Sequence, residues 1–214
     1  MNKEQVTDEL KGSDWDDIDI SKLNIDPKHK FLNRDRTIPI NITRLYSWIP
    51  EHLKEDKKIL DVSCGSGASL EVIRCSGADG TGLEFSPKSK TEEALHPDYY
   101  KDVNSYSNYE PLLRSQNLNY VIHDCSKVPY PFEDSSFDVV LNYGAITFYG
   151  DPDYWTTILD EFKRLSKDVI VVGVNVGWKW DIGEAIIDEW SKKQDDLELI
   201  AKYRSTYKWK FKKL

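Results

Sequence analysis

The apolar positions change period along the chain, and the changes mark alternating strands and helices. Ile59 to Val62 is an apolar run interrupted only by Asp61, the form of a strand covered on both faces. Small residues follow at once in Ser63-Cys64-Gly65-Ser66-Gly67, and a helix is predicted to start near Ala68 and run through Leu70, Val72 and Ile73. Gly80 to Phe85, Tyr120 to Ile122, Phe137 to Asn142 and Val169 to Val174 read as further strands. Between them lie predicted helices at Glu110 to Gln116, with Pro111 tolerated in the first turn, and at Asp151 to Leu165, capped by Asp151 or Asp153.

Before the first strand, Ile42, Leu45, Tyr46 and Ile49 share one face of a helix predicted from about Pro39 to Ile49 and ended by Pro50. After the fifth strand comes a helix at Ile182 to Lys193. Leu197 to Tyr203 and Tyr207 to Leu214 then form an antiparallel pair. In the last strand Tyr207, Trp209 and Phe211 alternate with Lys208, Lys210 and Lys212, which predicts one face on the core and a lysine face in water.

Composition narrows the possibilities. A length of 214 residues predicts one domain with appended segments. Residues 1 to 20 are acid-rich and read as a solvated arm, with Trp15, Ile18 and Ile20 as possible anchors. Lys28, His29, Lys30, Arg34 and Arg36 follow, read first as surface charge. The link from Phe85 to Asn117 is long and carries Tyr99, Tyr100, Tyr106 and Tyr109; it reads as a substrate wall or a plain insertion, centred on 86 to 108. A net charge of −8 argues against wrapping nucleic acid. No apolar run approaches the ~20 residues of a membrane-spanning helix, and Met1 to Lys11 is polar, unlike a secretory signal. The three cysteines show no metal spacing and suit a reducing cytoplasm; Cys75 reads as a small buried hydrophobe. No metal ligand set stands out; Asp151, Asp153 and Asp181 read as helix-cap acids.

The candidate chemistry gathers at strand ends. Gly65 and Gly67 allow a sharp turn and close approach of a ligand, and the helix that follows offers N–H groups in its first turn. Glu84 ends the second strand, where an acid accepts hydrogen bonds from ribose hydroxyls in nucleotide-binding α/β folds. Asp61 to Gly67 with Glu84 resembles the cofactor loop of the class I S-adenosylmethionine (SAM) methyltransferases, whose small-molecule branch reads acid-x-Gly-x-Gly-x-Gly. Ser63 departs from this at the first Gly. His123-Asp124-Cys125, preceding Val128-Pro129-Tyr130-Pro131-Phe132-Glu133-Asp134-Ser135-Ser136-Phe137-Asp138-Val139-Val140, resembles the same family's acid, then Leu-Pro-Phe-x-x-x-Ser-Phe-Asp. Together the motifs span roughly residues 59 to 175.

The resemblance implies a doubly wound, mostly parallel seven-stranded α/β sheet with helices on both faces and an antiparallel final strand. It divides the chain into an arm at 1–36 and a SAM-binding domain at 37–214. It implies SAM as cofactor and S-adenosylhomocysteine (SAH) as product, with Asp61, Ser63, Cys64, Gly65, Gly67, Glu84, Phe85, Asp124, Cys125, Asn142 and Tyr143 around it. Asp124 would accept from the adenine amino group and Cys125 would donate a backbone N–H to the ring. Arg34 or Arg36 would reach the methionine carboxylate. Tyr143 reads first as a pocket wall and second as a base, and His123 falls on the adenine side.

The expected acceptor is a small metabolite, sugar or natural-product intermediate, not nucleic acid or a membrane, and the expected state is monomer or homodimer. The segments 1–36 and 86–108 are expected to form the acceptor pocket. Two alternatives stand beside this reading. A non-catalytic SAM-binding protein fits Ser63 and the lack of an obvious base. A nicotinamide-dependent oxidoreductase needs Gly-x-Gly-x-x-Gly, and Leu70 stands in the third position.

Overall fold

The computed structural model describes residues 1–11, 32–85, 109–146, 154–174 and 180–213. Seven strands form a sheet: β1 (Lys58–Val62), β2 (Asp79–Glu84), β3 (Tyr120–Ile122), β4 (Phe137–Tyr143), β5 (Ser166–Gly173), β6 (Leu197–Tyr203) and β7 (Thr206–Phe211). Their order is β3-β2-β1-β4-β5-β7-β6. The pairs β1–β2, β2–β3 and β4–β5 are parallel, while β7 runs antiparallel to both β5 and β6. The predicted seven-stranded, mostly parallel sheet is thus observed, with helices around it. The described residues fall into two compact units, one running to Asp124 and the other from Cys125 on.

In the first unit, α1 (Lys3–Leu10) opens with a capping box. Asn2 Oδ1 accepts from the Gln5 N–H at 2.9 Å, and Gln5 Oε1 accepts from the Asn2 N–H at 2.8 Å. Val6 is fully buried, and the Tyr46 hydroxyl donates to the Met1 carbonyl at 3.1 Å. Residues 1–11 are therefore a docked helix and not a solvated arm. Trp15, Ile18, Ile20, Lys28, His29, Lys30 and Phe31 lie outside the described residues, as do the whole segment 86–108 and the predicted caps Asp151 and Asp153.

Helix α2 (Arg34–Trp48) begins earlier than Pro39 suggested. Asn33 caps it, with Oδ1 accepting from the Arg36 N–H at 3.2 Å. Pro39 sits inside the helix, where its missing N–H removes one ladder bond without ending the run. Arg34 is neither surface charge nor an open ligand group. It is buried and forks onto Glu71 of α3 (Ala68–Ser76), Nη1 to Oε1 at 2.5 Å and Nη2 to Oε2 at 2.6 Å. α4 (Glu110–Ser115) completes the unit.

The second unit carries α5 (Trp155–Leu165) and α6 (Trp180–Lys192). Trp155, Tyr207 and Trp209 are fully buried. Tyr207 and Trp209 stack with centroids 5.4 Å apart, and Trp190 meets Trp209 edge-on. The indole N–H groups of Trp190 and Trp209 donate to Asp160 and Ser191 at 2.8 and 2.7 Å. Lys208 corrects the expected wet lysine face, for it is buried. The physical reason is strand order. β7 lies between β5 and β6, so the half-exposed edge falls to β6, where Leu199, Ile200 and Tyr203 are exposed.

Candidate active site

The parallel register of β1 and β2 places Asp61 beside Gly82, with Glu84 at the end of β2. The chain then leaves β1 through residues 63–67 and enters α3. Ser63 takes φ 59°, Gly65 φ 56° and Gly67 φ 80°. Ser63 thus adopts the left-handed turn expected of a glycine there, at an energetic cost of roughly 1–2 kcal/mol. The Ser63 N–H donates to the Leu83 carbonyl at 2.7 Å, tying the loop to β2.

The two glycines serve different ends. A Cβ on Gly67 would lie 2.5 Å from Leu118 Cδ1 and 2.7 Å from Leu113 Cδ2, so this position is filled by packing. A Cβ on Gly65 would meet only Tyr109 Cε2, at 4.0 Å. The backbone at Gly65 is therefore open to close approach, and the Tyr109 ring flanks it.

Two acids stand at this loop. Asp61 is buried, and its carboxylate accepts from the Ser69 hydroxyl of α3. Burial pushes its pKa up to about 6, with the Ser69 bond and the Arg44 charge pulling it back. Glu84 is buried as well. Its Oε2 accepts from the Gly65 N–H at 2.6 Å. Burial pushes its pKa up to about 7, and the Asp61 charge adds to the rise; the Gly65 and Phe85 N–H groups and the Cys64 thiol pull it back. Among the described residues no lysine or arginine pairs with Glu84.

The other predicted residues take these places. Phe85 is half-buried just after β2, and Cys64 and Cys125 are buried. Cys75 is only partly buried, which corrects its reading as a core hydrophobe; burial and the Glu9 carboxylate push its thiol up to about 11. Asp124 is buried beyond the end of β3. In the second unit Asn142 is fully buried and its Oδ1 accepts from the Ile146 N–H at 2.9 Å, closing the turn after β4. Tyr143 is half-buried at the end of β4, beside Gly173. The His123 N–H donates to the Glu84 carbonyl at 2.9 Å, so His123 backs the second strand.

Sequence reading missed several partners. Ser69 lies eight residues beyond Asp61, in the first turn of α3, and a polar residue in that turn was the only signal. The Arg34–Glu71 fork joins helices 37 residues apart and has no local signature. Tyr130 donates its hydroxyl to the Cys125 carbonyl at 2.7 Å.

The donor set favours a ligand rich in donors and positive charge. SAM offers ribose hydroxyls, an adenine amino group, an ammonium and a sulfonium, which match buried acids. An anionic pyrophosphate would meet Asp61 and Glu84 at close range, which argues against a nicotinamide dinucleotide. Among the described residues no cluster of His, Cys, Asp and Glu has the make-up of a metal site, and no helix is long and apolar enough to cross a membrane.

Comparison with known proteins agrees with this chemistry. The description of a methyltransferase domain matches residues 60–169, just over half of the chain. Among solved structures, a magnesium protoporphyrin IX methyltransferase from Synechocystis PCC 6803, crystallised with SAM, is 13% identical over 82% of this chain and 78% of its own, with a TM-score of 0.52. A protein from Pyrococcus horikoshii OT3 is 16% identical over 88% of this chain and 95% of its own, with a TM-score of 0.55. The [4+2]-cyclase SpnF is 14% identical over 83% of this chain and 62% of its own, with a TM-score of 0.51. At such identities the likeness is one of fold, and a fold hosts many reactions. Comparison with curated protein sequences gives no match.

Proposed function

The chain belongs to the SAM-dependent methyltransferases of the methyltransferase-domain family, and we propose that it methylates a small-molecule acceptor through a cofactor site centred on Glu84. The observation that carries this reading is Glu84 itself, a buried acid at a strand end, held against an open glycine backbone with no cation to satisfy it among the described residues. Ribose hydroxyls would supply the missing donors. Asp61, locked by Ser69, sits behind the loop and favours the cationic amino acid end of the cofactor. Asp124 and Cys125 take the adenine ring, as the resemblance implies. The resemblance implies Asn142 and Tyr143 at the cofactor too, with Tyr143 a wall before it is a base.

SAM supplies an activated methyl group on sulfur; the protein's part is to hold a nucleophile in line with it and exclude water. A base is needed only for an acceptor protonated at neutral pH. The acceptor class rests on charge and on a missing motif. A net charge of −8 opposes phosphate backbones. Asn142-Tyr143-Gly144-Ala145 also lacks the Pro-Pro-Tyr of the amino-methylating nucleic-acid enzymes. A neighbour of the same fold is named for a small-molecule acceptor, magnesium protoporphyrin IX. The test is incubation with labelled SAM and a metabolite extract, with products identified by mass. A labelled small molecule together with SAH supports the proposal; label only in nucleic acid or protein, or no SAH formed, counts against it.

A further inference from the structure

β6 is the last strand of the sheet. Its inner side pairs with β7, and no described strand pairs with its outer side. Three exposed apolar side chains stand on this one strand: Leu199 at 41%, Ile200 at 42% and Tyr203 at 64%. An open main-chain edge beside exposed apolar side chains is a template for association. The register shifts between Leu199 and Ala201, which breaks the outer edge into two short stretches of main chain, so the side chains decide what binds there. Their charge is ordered along the strand. The exposed acids Asp195, Asp196 and Glu198 gather at its start, the exposed bases Lys202 and Arg204 at its end, with Leu199 and Ile200 between. Two of these charges are already matched. Asp196 meets Lys163 at 2.6 Å, and Lys202 Nζ lies 3.0 Å from each carboxylate oxygen of Asp188. Among the described residues Glu198 and Arg204 have no oppositely charged partner; the Arg204 guanidinium lies over the Tyr203 ring, 5.4 Å from its centroid.

We propose that the outer edge of β6 is an interface between two copies of this chain, laid antiparallel about a two-fold axis at Ala201. A strand that runs from acid through apolar to base complements itself only when reversed. Centred on Ala201, the reversed copy sets Glu198 opposite Arg204 and Leu199 opposite Tyr203, and the two-fold axis makes each contact twice. A copy running in the same direction would set like charge on like. The small side chain of Ala201 lets the two strands approach at the axis. Leu199, Ile200 and Tyr203 supply an apolar centre, and the two uncommitted charges supply a polar rim. The proposal stands apart from the cofactor reading, since none of these residues belongs to the loop between β1 and α3.

Analytical ultracentrifugation of the full, ligand-free chain over about 1–100 µM is the test. The wild-type chain is expected to pass from monomer to dimer in this range and to go no further, because an isologous contact closes on itself. Glu198→Arg and Arg204→Glu each bring like charges together twice, and each is expected to raise the dimer dissociation constant about tenfold or more. The double variant restores opposite charges in exchanged positions and is expected to return to within about threefold of wild type. Leu199→Lys reads the apolar centre independently of the charge pair and is expected to hold the chain monomeric throughout. All three positions are exposed, and circular dichroism checks that each variant keeps the fold. A wild-type chain that stays monomeric, or that forms a ladder of larger assemblies, overturns the proposal. So do single reversals that leave the dimer unchanged, and a double variant as weak as the singles.

Discussion

Glu84 and Glu161 are the same residue with the same exposure, 6% each, yet they do opposite work. Glu161 is met by the Arg164 guanidinium and the Tyr130 N–H, so its charge is matched within the second unit. Glu71 in the first unit is matched in the same manner by Arg34. Among the described residues Glu84 has only backbone N–H groups and a thiol, with the Asp61 carboxylate nearby to oppose its charge. A buried acid with an arginine is a strut. A buried acid without one is desolvated at a cost that a ligand bearing donors can offset. The contrast supports the proposal that the loop between β1 and α3 binds the cofactor.

The largest effect is expected from breaking a strut. Arg34→Met leaves the Glu71 carboxylate buried and alone, and should destabilise by about 3–5 kcal/mol in urea unfolding. The double variant with Glu71→Leu should recover most of that loss, because no uncompensated charge remains. Removal of residues 1–36 would delete both Arg34 and the docked helix that buries Val6, so it too should destabilise the fold.

The binding acid should respond the other way. Glu84→Gln removes a charge with no cation partner among the described residues, so stability at pH 8 should hold or rise. SAH affinity should fall by about 1.5–3 kcal/mol, the scale of hydrogen bonds to a charged group, as read by calorimetry. A folded variant with unchanged affinity would erase the distinction between the two kinds of acid.

The same acid predicts a pH dependence with opposite signs for stability and binding. The folded pKa of about 7 lies above the ordinary 4.5. Glu84 therefore contributes most to ligand-free stability below its unfolded value, and the contribution is lost as pH rises through about 7. Ribose donors favour the ionised form, so SAH affinity should rise over that window, by up to about tenfold per pH unit on its acid side. Calorimetry between about pH 5.5 and about pH 8, the titration range of a raised carboxyl, checks this, and Glu84→Gln should flatten the rise.

The smallest effect is expected at Ser63. Its φ of 59° carries left-handed strain of roughly 1–2 kcal/mol, while glycine would add back about 0.5–1 kcal/mol of chain entropy. Ser63→Gly should therefore stabilise by about 1 kcal/mol or less in thermal unfolding, without altering SAH affinity.

The sheet was legible because its strands differ in period from its helices. Tyr120 to Ile122 and Leu197 to Tyr203 stand where the pattern placed them. The acids at strand ends were legible because Asp61 and Glu84 interrupt apolar runs. Three features were not. The start of α2 was hidden by Pro39, since a proline reads as a helix start whether it stands in the first turn or, as here, further in. The burial of Lys208 follows from β7 lying inside the sheet, a matter of strand order that alternation along one strand does not contain. The arginine struts join distant segments, Arg34 to Glu71 and Arg164 to the loop at Tyr130, and an arginine's partner depends on the folded path between them.

The most direct measurement is a calorimetric titration of SAH into the full chain and into Glu84→Gln at neutral pH. Saturable binding to the wild-type chain, weakened about ten- to a hundredfold in a variant of unchanged unfolding midpoint, is the expected result. No binding to the wild-type chain at millimolar SAH, or equal dissociation constants for the two proteins, would contradict a cofactor site centred on Glu84.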